Sequence, residues 1–207
     1  DERRKMGRTV REMLIEQVQS APRQTFNPKN NANPTYDLRF SHAVKAMFFK
    51  VRNTTFSNQW SNYTTASPVV LPGTTQIDYE SQYARDPIKH TSLIYENTNR
   101  FTNMGSDYFS LVNPYYHAPA IPTETGYHLY SYSLKFAELD PMGSTNYGKL
   151  ANVSIAPAAS DDAIVAANGT GPAASGTNFA QTFEFIDMVI NNNVARVAGG
   201  VLGFPVM

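Results

Sequence analysis

GYHLYSYSLKFAELDPMGSTNYGKLANVS, residues Gly126–Ser154, holds two strand-like runs and the most turn-rich connector in the chain. In its first part His128, Tyr130, Tyr132, Leu134 and Phe136 alternate with Ser131, Ser133 and Lys135. That period of two predicts a strand with one face buried. The segment Asp140–Gly148, DPMGSTNYG, cannot continue it, because Pro has no N–H to give a ladder and Asp, Gly and Asn favour turns. Alternation resumes at Leu150, with Val153 and Ile155 on one side and Asn152 and Ser154 on the other. Two strands joined by a polar turn rather than a helical crossover predict antiparallel, all-β structure.

Working outward, the longest clean alternation is Tyr36, Leu38, Phe40, Val44, Ala46 and Phe48 against Asp37, Arg39, Ser41 and Lys45, which predicts one long strand facing the core. His42 falls on its apolar face and reads as a satisfied core residue rather than a ligand. Residues 1–19 fit a helical stripe (Met6, Val10, Met13, Leu14, Val18) as well as they fit a strand through MLIEQV, and the pattern leaves both open. The tract NPKNNANP, Asn27–Pro34, is a polar connection. Residues 53–90 read as a surface excursion, with Trp60 anchoring it on the body or on a neighbouring subunit. TSLIYENTNRF, Thr91–Phe101, reads as a further strand, and MGSDYFSLVNPYYHAP as a short helix or irregular strand. Residues 156–178, rich in Ala, Gly and Ser, read as an exposed loop. Phe179–Gly199 alternates weakly, enough for one bent strand or two. The apolar tail VLGFPVM is expected to be buried.

The totals agree with a β domain. The chain has 207 residues, 16% charged and 12% aromatic, with 12 Tyr and 12 Phe, a composition that suits pleated, aromatic-rich packing. It is long enough to bury a real core. With no cysteine, neither a disulfide framework nor a thiolate metal site is possible, which fits a reducing compartment. No run of about 18 apolar residues marks a helical membrane span. Net charge is zero but uneven: residues 1–52 hold eleven Lys/Arg against five Asp/Glu, and the rest six against twelve. No RNP-like or recognition-helix pattern accompanies the basic start, so Arg39, Lys45 and their neighbours are expected on a solvated strand face. The chain opens DERRKMGR, without an initiator Met, and reads as the downstream piece of something longer.

Catalytic patterns are absent from the sequence. His42, His90, His117 and His128 show no H-E-x-x-H and no close pairing. There is no G-x-S-x-G elbow and no phosphate-cradling glycine loop. Glu96, Asp107, Glu124 and Glu138 are scattered among turns, and the Asp161-Asp162 pair reads as solvated loop charge. Candidate glycan acceptors are Asn53, Asn62, Asn152 and Asn168, each opening an N-x-S/T triplet, in a chain where such triplets arise readily by chance.

The run GYHLYSYSLKF followed by DPMGSTNYGKLANVS resembles the matching segment of the iridovirus major capsid proteins. Relatives of that family among the large nucleocytoplasmic DNA viruses carry a P-S-G-x-x-N connector. Here Pro141, Gly143 and Asn146 keep it, and Met142 stands where the serine is expected. DERRKMGRTVREMLIEQVQSAP, RFSHAVKAMFF, SLIYENTNR, MGSDYFSLVNPYYHAP and GFPV agree in the same order, nearly end to end and most like the invertebrate iridescent virus branch.

The resemblance implies an eight-stranded antiparallel jelly-roll sandwich with long loops and a short helix or two, the second half of a double jelly roll. Residues 1–12 would be the linker from the first half, with strand MLIEQVQ after it. Residues 13–207 would be the sandwich, with loop insertions at about 53–90 and 156–178. It further implies a structural, non-enzymatic protein without cofactors or metals. Its partners would be two more copies in a trimeric pseudo-hexagonal capsomer, neighbouring capsomers and minor capsid proteins. The underlying viral membrane would be touched only indirectly, and no specific nucleic acid at all. The place would be the virion shell, assembled in the host cytoplasm. A β-sandwich carbohydrate-binding module, stacking sugars on exposed Tyr and Trp, is the alternative, and a hydrolase using paired loop carboxylates is a weaker third. A sandwich cut from its neighbour would expose an apolar face and self-associate.

Overall fold

The computed structural model describes residues 4, 7, 9–55, 57, 59–66, 68–70, 77–79, 84–169 and 180–205. In chain order the strands are β1 (Arg11–Ser20), β2 (Gln24–Phe26), β3 (Tyr36–Asp37), β4 (Ala43–Asn53), β5 (Pro68–Val70), β6 (Ile77–Tyr79), β7 (Ile88–Tyr95) and β8 (Thr98–Gly105). A π-helical turn (Tyr108–Val112) and α1 (Asn113–His117) lead to β9 (His128–Ser131), β10 (Thr145–Asn146) and a 3-10 turn (Tyr147–Lys149). Then come β11 (Val153–Ala159), α2 (Asp161–Asn168), β12 (Phe183–Ala198) and β13 (Val201–Gly203). The ambiguous start is therefore a strand from Arg11 onward.

The 16-residue β12 is the spine of the first sheet. Along one edge it pairs with β2 and then β1, and along the other with β4 and then β13. The far edge of β4 carries β9 and β10. The second sheet has the order β3–β11–β7–β8. Every pairing is antiparallel. With β1 and β2 sharing one position and β9 and β10 another, each sheet has four positions. The chain crosses between sheets after β2, β3, β4, β8, β10 and β11, and eight positions so connected are a jelly roll.

Aromatic residues fill the space between the sheets. Tyr36 of one sheet stacks on Phe185 of the other at 4.6 Å. Phe49 meets Phe109, His128 and Phe185 at 5.2, 5.0 and 6.5 Å. Phe109, fully buried, enters the core from the π-helical turn. Each such ring pair contributes roughly 0.5–1.5 kcal/mol beyond area burial.

Several segments differ from the sequence expectation, for physical reasons. The single strand expected across 36–48 is two strands in different sheets, turning a corner where His42 has a φ of 65° and lies half-buried. Within β4 a bulge leaves Lys45 without a partner, since Ile190 faces Ala46 and Asn191 faces Val44. The bulge inverts the alternation. Val44, Met47, Phe49 and Val51 join the main core, whereas Ala46 and Phe48 belong to a second cluster on the outer face. Lys45 is not on a solvated face; it is 1% exposed and paired with Glu16.

Thr91–Phe101 is a hairpin, reversed by Glu96 and Asn97 at φ 48° and 65°, the left-handed pair that matches strand twist. Within 156–178, residues 156–159 complete β11 and 161–168 are helical, while 170–178 lie outside the described residues. Ser160 caps that helix by accepting from Ala163 N, Asp161 and Asp162 occupy its first turn, and Gly169 closes it at φ 69°. Phe183–Ala198 is one strand. The tail is not buried: Val201, Leu202 and Phe204 are 70%, 56% and 52% exposed, because β13 folds back on the end of β12 with no second layer over it. Residues 206–207 lie outside the described residues.

Candidate assembly surfaces

The opening stretch forms an end of the sandwich rather than a site of chemistry. β9 is four residues long, and the expected alternation holds only through Tyr132. Leu134 is 70% exposed, and Phe136 packs with Ala46 and Leu129 in the outer cluster. Tyr132 and Ser133 leave the strand by donating their N–H groups to the carbonyl of the bulged Lys45. The connector then returns, with Thr145 and Asn146 pairing to Val44 and Ala43. Gly143 at φ 120° permits that return, since a Cβ there would sit 2.8 Å from the Tyr132 carbonyl oxygen.

Behind it three tyrosine hydroxyls form a chain, Tyr95 to Tyr132 at 2.7 Å and Tyr132 to Tyr147 at 2.6 Å. Burial pushes all three phenols up. They are neutral cross-links between the sheets.

The buried ionisable groups are placed for structure as well. His128 Nε2 donates to Asp86 Oδ2 at 2.7 Å, Asp86 Oδ1 accepts from Ile88 N, and the Asp86 carbonyl accepts from Ser160 Oγ. One aspartate thus ties β9, the start of β7 and the cap of α2. Lys45 Nζ donates to Glu16 and, at 2.7 Å, to the Glu138 carbonyl. Glu184 receives Arg52 at 2.7 Å and Arg23 at 3.5 Å. Asp187 is the exception: it is fully buried, neither oxygen has a hydrogen-bond partner on another described residue, and burial pushes its carboxyl up to about 6.

Among the described residues no three His, Asp or Glu side chains gather as a metal site. His42 sits at the β3–β4 corner, His90 lies in β7, and His117 bonds the Leu134 carbonyl. Glu96, Asp107, Glu124 and Glu138 are all exposed, and none lines the apolar groove beneath α1. Asn53 is 4% exposed, and its amide bonds Thr64 O and Gln181, with its carbonyl accepting from Thr55. Asn62 accepts from Thr64, and Asn152 and Asn168 are exposed.

What the surface offers is apolar area. One patch lies at the end of the sheet where β13 folds back: Val201, Leu202 and Phe204 are exposed there, with Val10 and Met13 at the start of β1 across β12 from them, since Leu202 and Arg11 flank Val197 of β12 on opposite sides. Another follows the π-helical turn and α1, where Leu111, Tyr115 and Tyr116 are 50%, 68% and 70% exposed. Trp60, 72% exposed, is not anchored on the body of this chain. Clusters of this kind mark interaction surfaces. The sequence reading missed both patches because an apolar residue at an edge or hairpin looks like any core residue in a one-dimensional pattern.

The sequence pattern of the large eukaryotic DNA virus major capsid proteins matches residues 2–203. The chain belongs to that family. Across its whole length it is 67% identical to the major capsid protein of Invertebrate iridescent virus 6 and 62% identical to that of Costelytra zealandica iridescent virus. The identity is 54% for the counterpart in Lymphocystis disease virus 1. The chain spans 44% of the first two capsid proteins and 45% of the third. Among solved structures, a chain of the PBCV-1 virus capsid superposes with a TM-score of 0.73 at 23% identity, covering 98% of this chain and 53% of that one. The Faustovirus major capsid protein gives 0.58 at 12% identity, covering 90% and 33%. At those identities the likeness is one of fold, and it is the jelly-roll fold of viral capsids that this chain shares.

Proposed function

We propose that this chain is the second sandwich of a capsid protein whose function is carried by shape, standing beside a first sandwich and joined to it through residues 1–12. Three copies of the whole protein would form a pseudo-hexagonal capsomer, and capsomers with minor capsid proteins would tile an icosahedral shell assembled in the host cytoplasm. The viral membrane is met only indirectly, and no specific nucleic acid is bound.

The observation that carries this reading is a stiff jelly roll that exposes two separate apolar patches, one at the β1–β13 end and one along the π-helical turn and α1. Two different patches on one chain suit head-to-tail contacts that close into a ring, and apolar, aromatic-rich surface is what obligate interfaces bury. Size-exclusion chromatography with light scattering on the full-length protein is the test. A mass of three chains, unchanged on dilution, is expected; a persistent monomer at high concentration overturns the reading.

A further inference from the structure

On the outer face of the β1–β12–β4 sheet, α1 and the strap that follows it arch over Phe48, Leu129, Phe136 and Met188 and leave a groove of about 450 Å³. Its walls are almost wholly apolar, completed by prolines of the strap. Among the described residues no backbone hydrogen bond ties residues 119–125 to the sheet, and the strap meets it through side-chain packing. Among the described residues Lys50 is the one Lys or Arg lining the groove, and His128, the other basic side chain there, is already bonded to Asp86. Lys50 Nζ lies 4.0 Å from the ring centroid of Tyr63 and 5.7 Å from that of Tyr127. The two ring faces hold the ammonium at the groove's margin. No described carboxylate lies within ion-pair distance of it. Glu184, on the same face, is already shared by Arg52 and Arg23, and Glu124, exposed, acts on the Tyr127 phenol.

We propose that the groove binds one long-chain alkyl carboxylate, its hydrocarbon along Phe48, Leu129, Phe136 and Met188 and its carboxylate on Lys50 Nζ. A neutral hydrocarbon would leave the ammonium without a counter-charge, and a dianion would need a second cation that the walls lack. Pockets of this size with one oriented polar group are typical of small-ligand sites. The inference is independent of the assembly role.

The test is calorimetric titration of dodecanoate into the 207-residue chain and into the full-length protein, with dodecanol as the uncharged probe. One saturable site per chain is expected in both. Lys50→Gln should weaken dodecanoate about tenfold, the worth of one charge-assisted contact, and leave dodecanol unchanged, while Lys50→Arg retains carboxylate binding. Melting curves of each variant establish that it is folded. Unsaturable uptake, equal dodecanoate affinity in folded Lys50→Gln, or binding to the isolated chain but not to the full-length protein would each overturn the proposal; the last would mean that another part of the protein fills the groove.

Discussion

Among single residues, Asp187 departs furthest from what packing alone would choose. It continues the inward row of Phe183, Phe185 and Val189 along β12, so a carboxyl stands where an apolar side chain would fit. Its folded pKa, about 6, lies above the ordinary value of 3.8. Below pH 3.8 both states hold the proton and nothing is lost. Between 3.8 and 6 the unfolded chain releases its proton first, so stability falls as pH rises through that window, and the full penalty stands above 6. For a shift of that size the penalty is about 3 kcal/mol. Asp187→Asn removes the titration, so urea unfolding of the 207-residue chain at pH 4.5 and 7.5 should show the variant gaining about 2 kcal/mol on the native sequence between the two pH values. Parallel pH dependence in the two proteins would count against a buried, unpaired carboxyl. A lone Asp in an alternating apolar run was visible in the sequence, but its lack of partners was not, because partners come from other strands.

At the scale of elements, patterns of period two found the β regions, and turn residues found most of the breaks. Where a strand changed sheet or parity, they failed. The corner at His42 and the bulge at Lys45 invert the inward face within ten residues, and neither site carries the Gly or Pro that announces a break. Helix α2 was legible in principle. Its Ser160 cap, two acidic first-turn residues and Asn168-Gly169 stop are ordinary helix punctuation, masked by an Ala- and Gly-rich composition. The connector Asp140–Gly148 was legible as a turn, but not as a return to β4. That return depends on Gly143, where a side chain would meet the Tyr132 carbonyl in a backbone conformation that L-residues rarely adopt. Gly143→Ala should therefore cost about 1–3 kcal/mol, measured by denaturant unfolding. The loss should fall on β10, seen as faster amide exchange at Tyr147, whose N–H bonds the His42 carbonyl. An unchanged unfolding midpoint would show that the connector tolerates another path.

For the whole molecule, the jelly-roll order of the two sheets explains why function needs no pocket of reactive groups. Eight ladder positions around an aromatic core make a stiff block, and it exposes apolar patches at the β1–β13 end and along the π-helical turn and α1. Those two surfaces were beyond sequence patterning, since exposure is a property of the folded chain. The family, in contrast, was legible from the stretch Gly126–Ser154 together with the segments that agree in order around it. The most direct test of the capsid role is electron cryomicroscopy of particles assembled from the full-length protein. The account predicts a shell whose capsomers contain three copies, each contributing this sandwich beside a second one, with the β1–β13 patch and the α1 patch covered at contacts between sandwiches. Capsomers in which both patches face solvent, or particles that form without this sandwich in the shell wall, would contradict it.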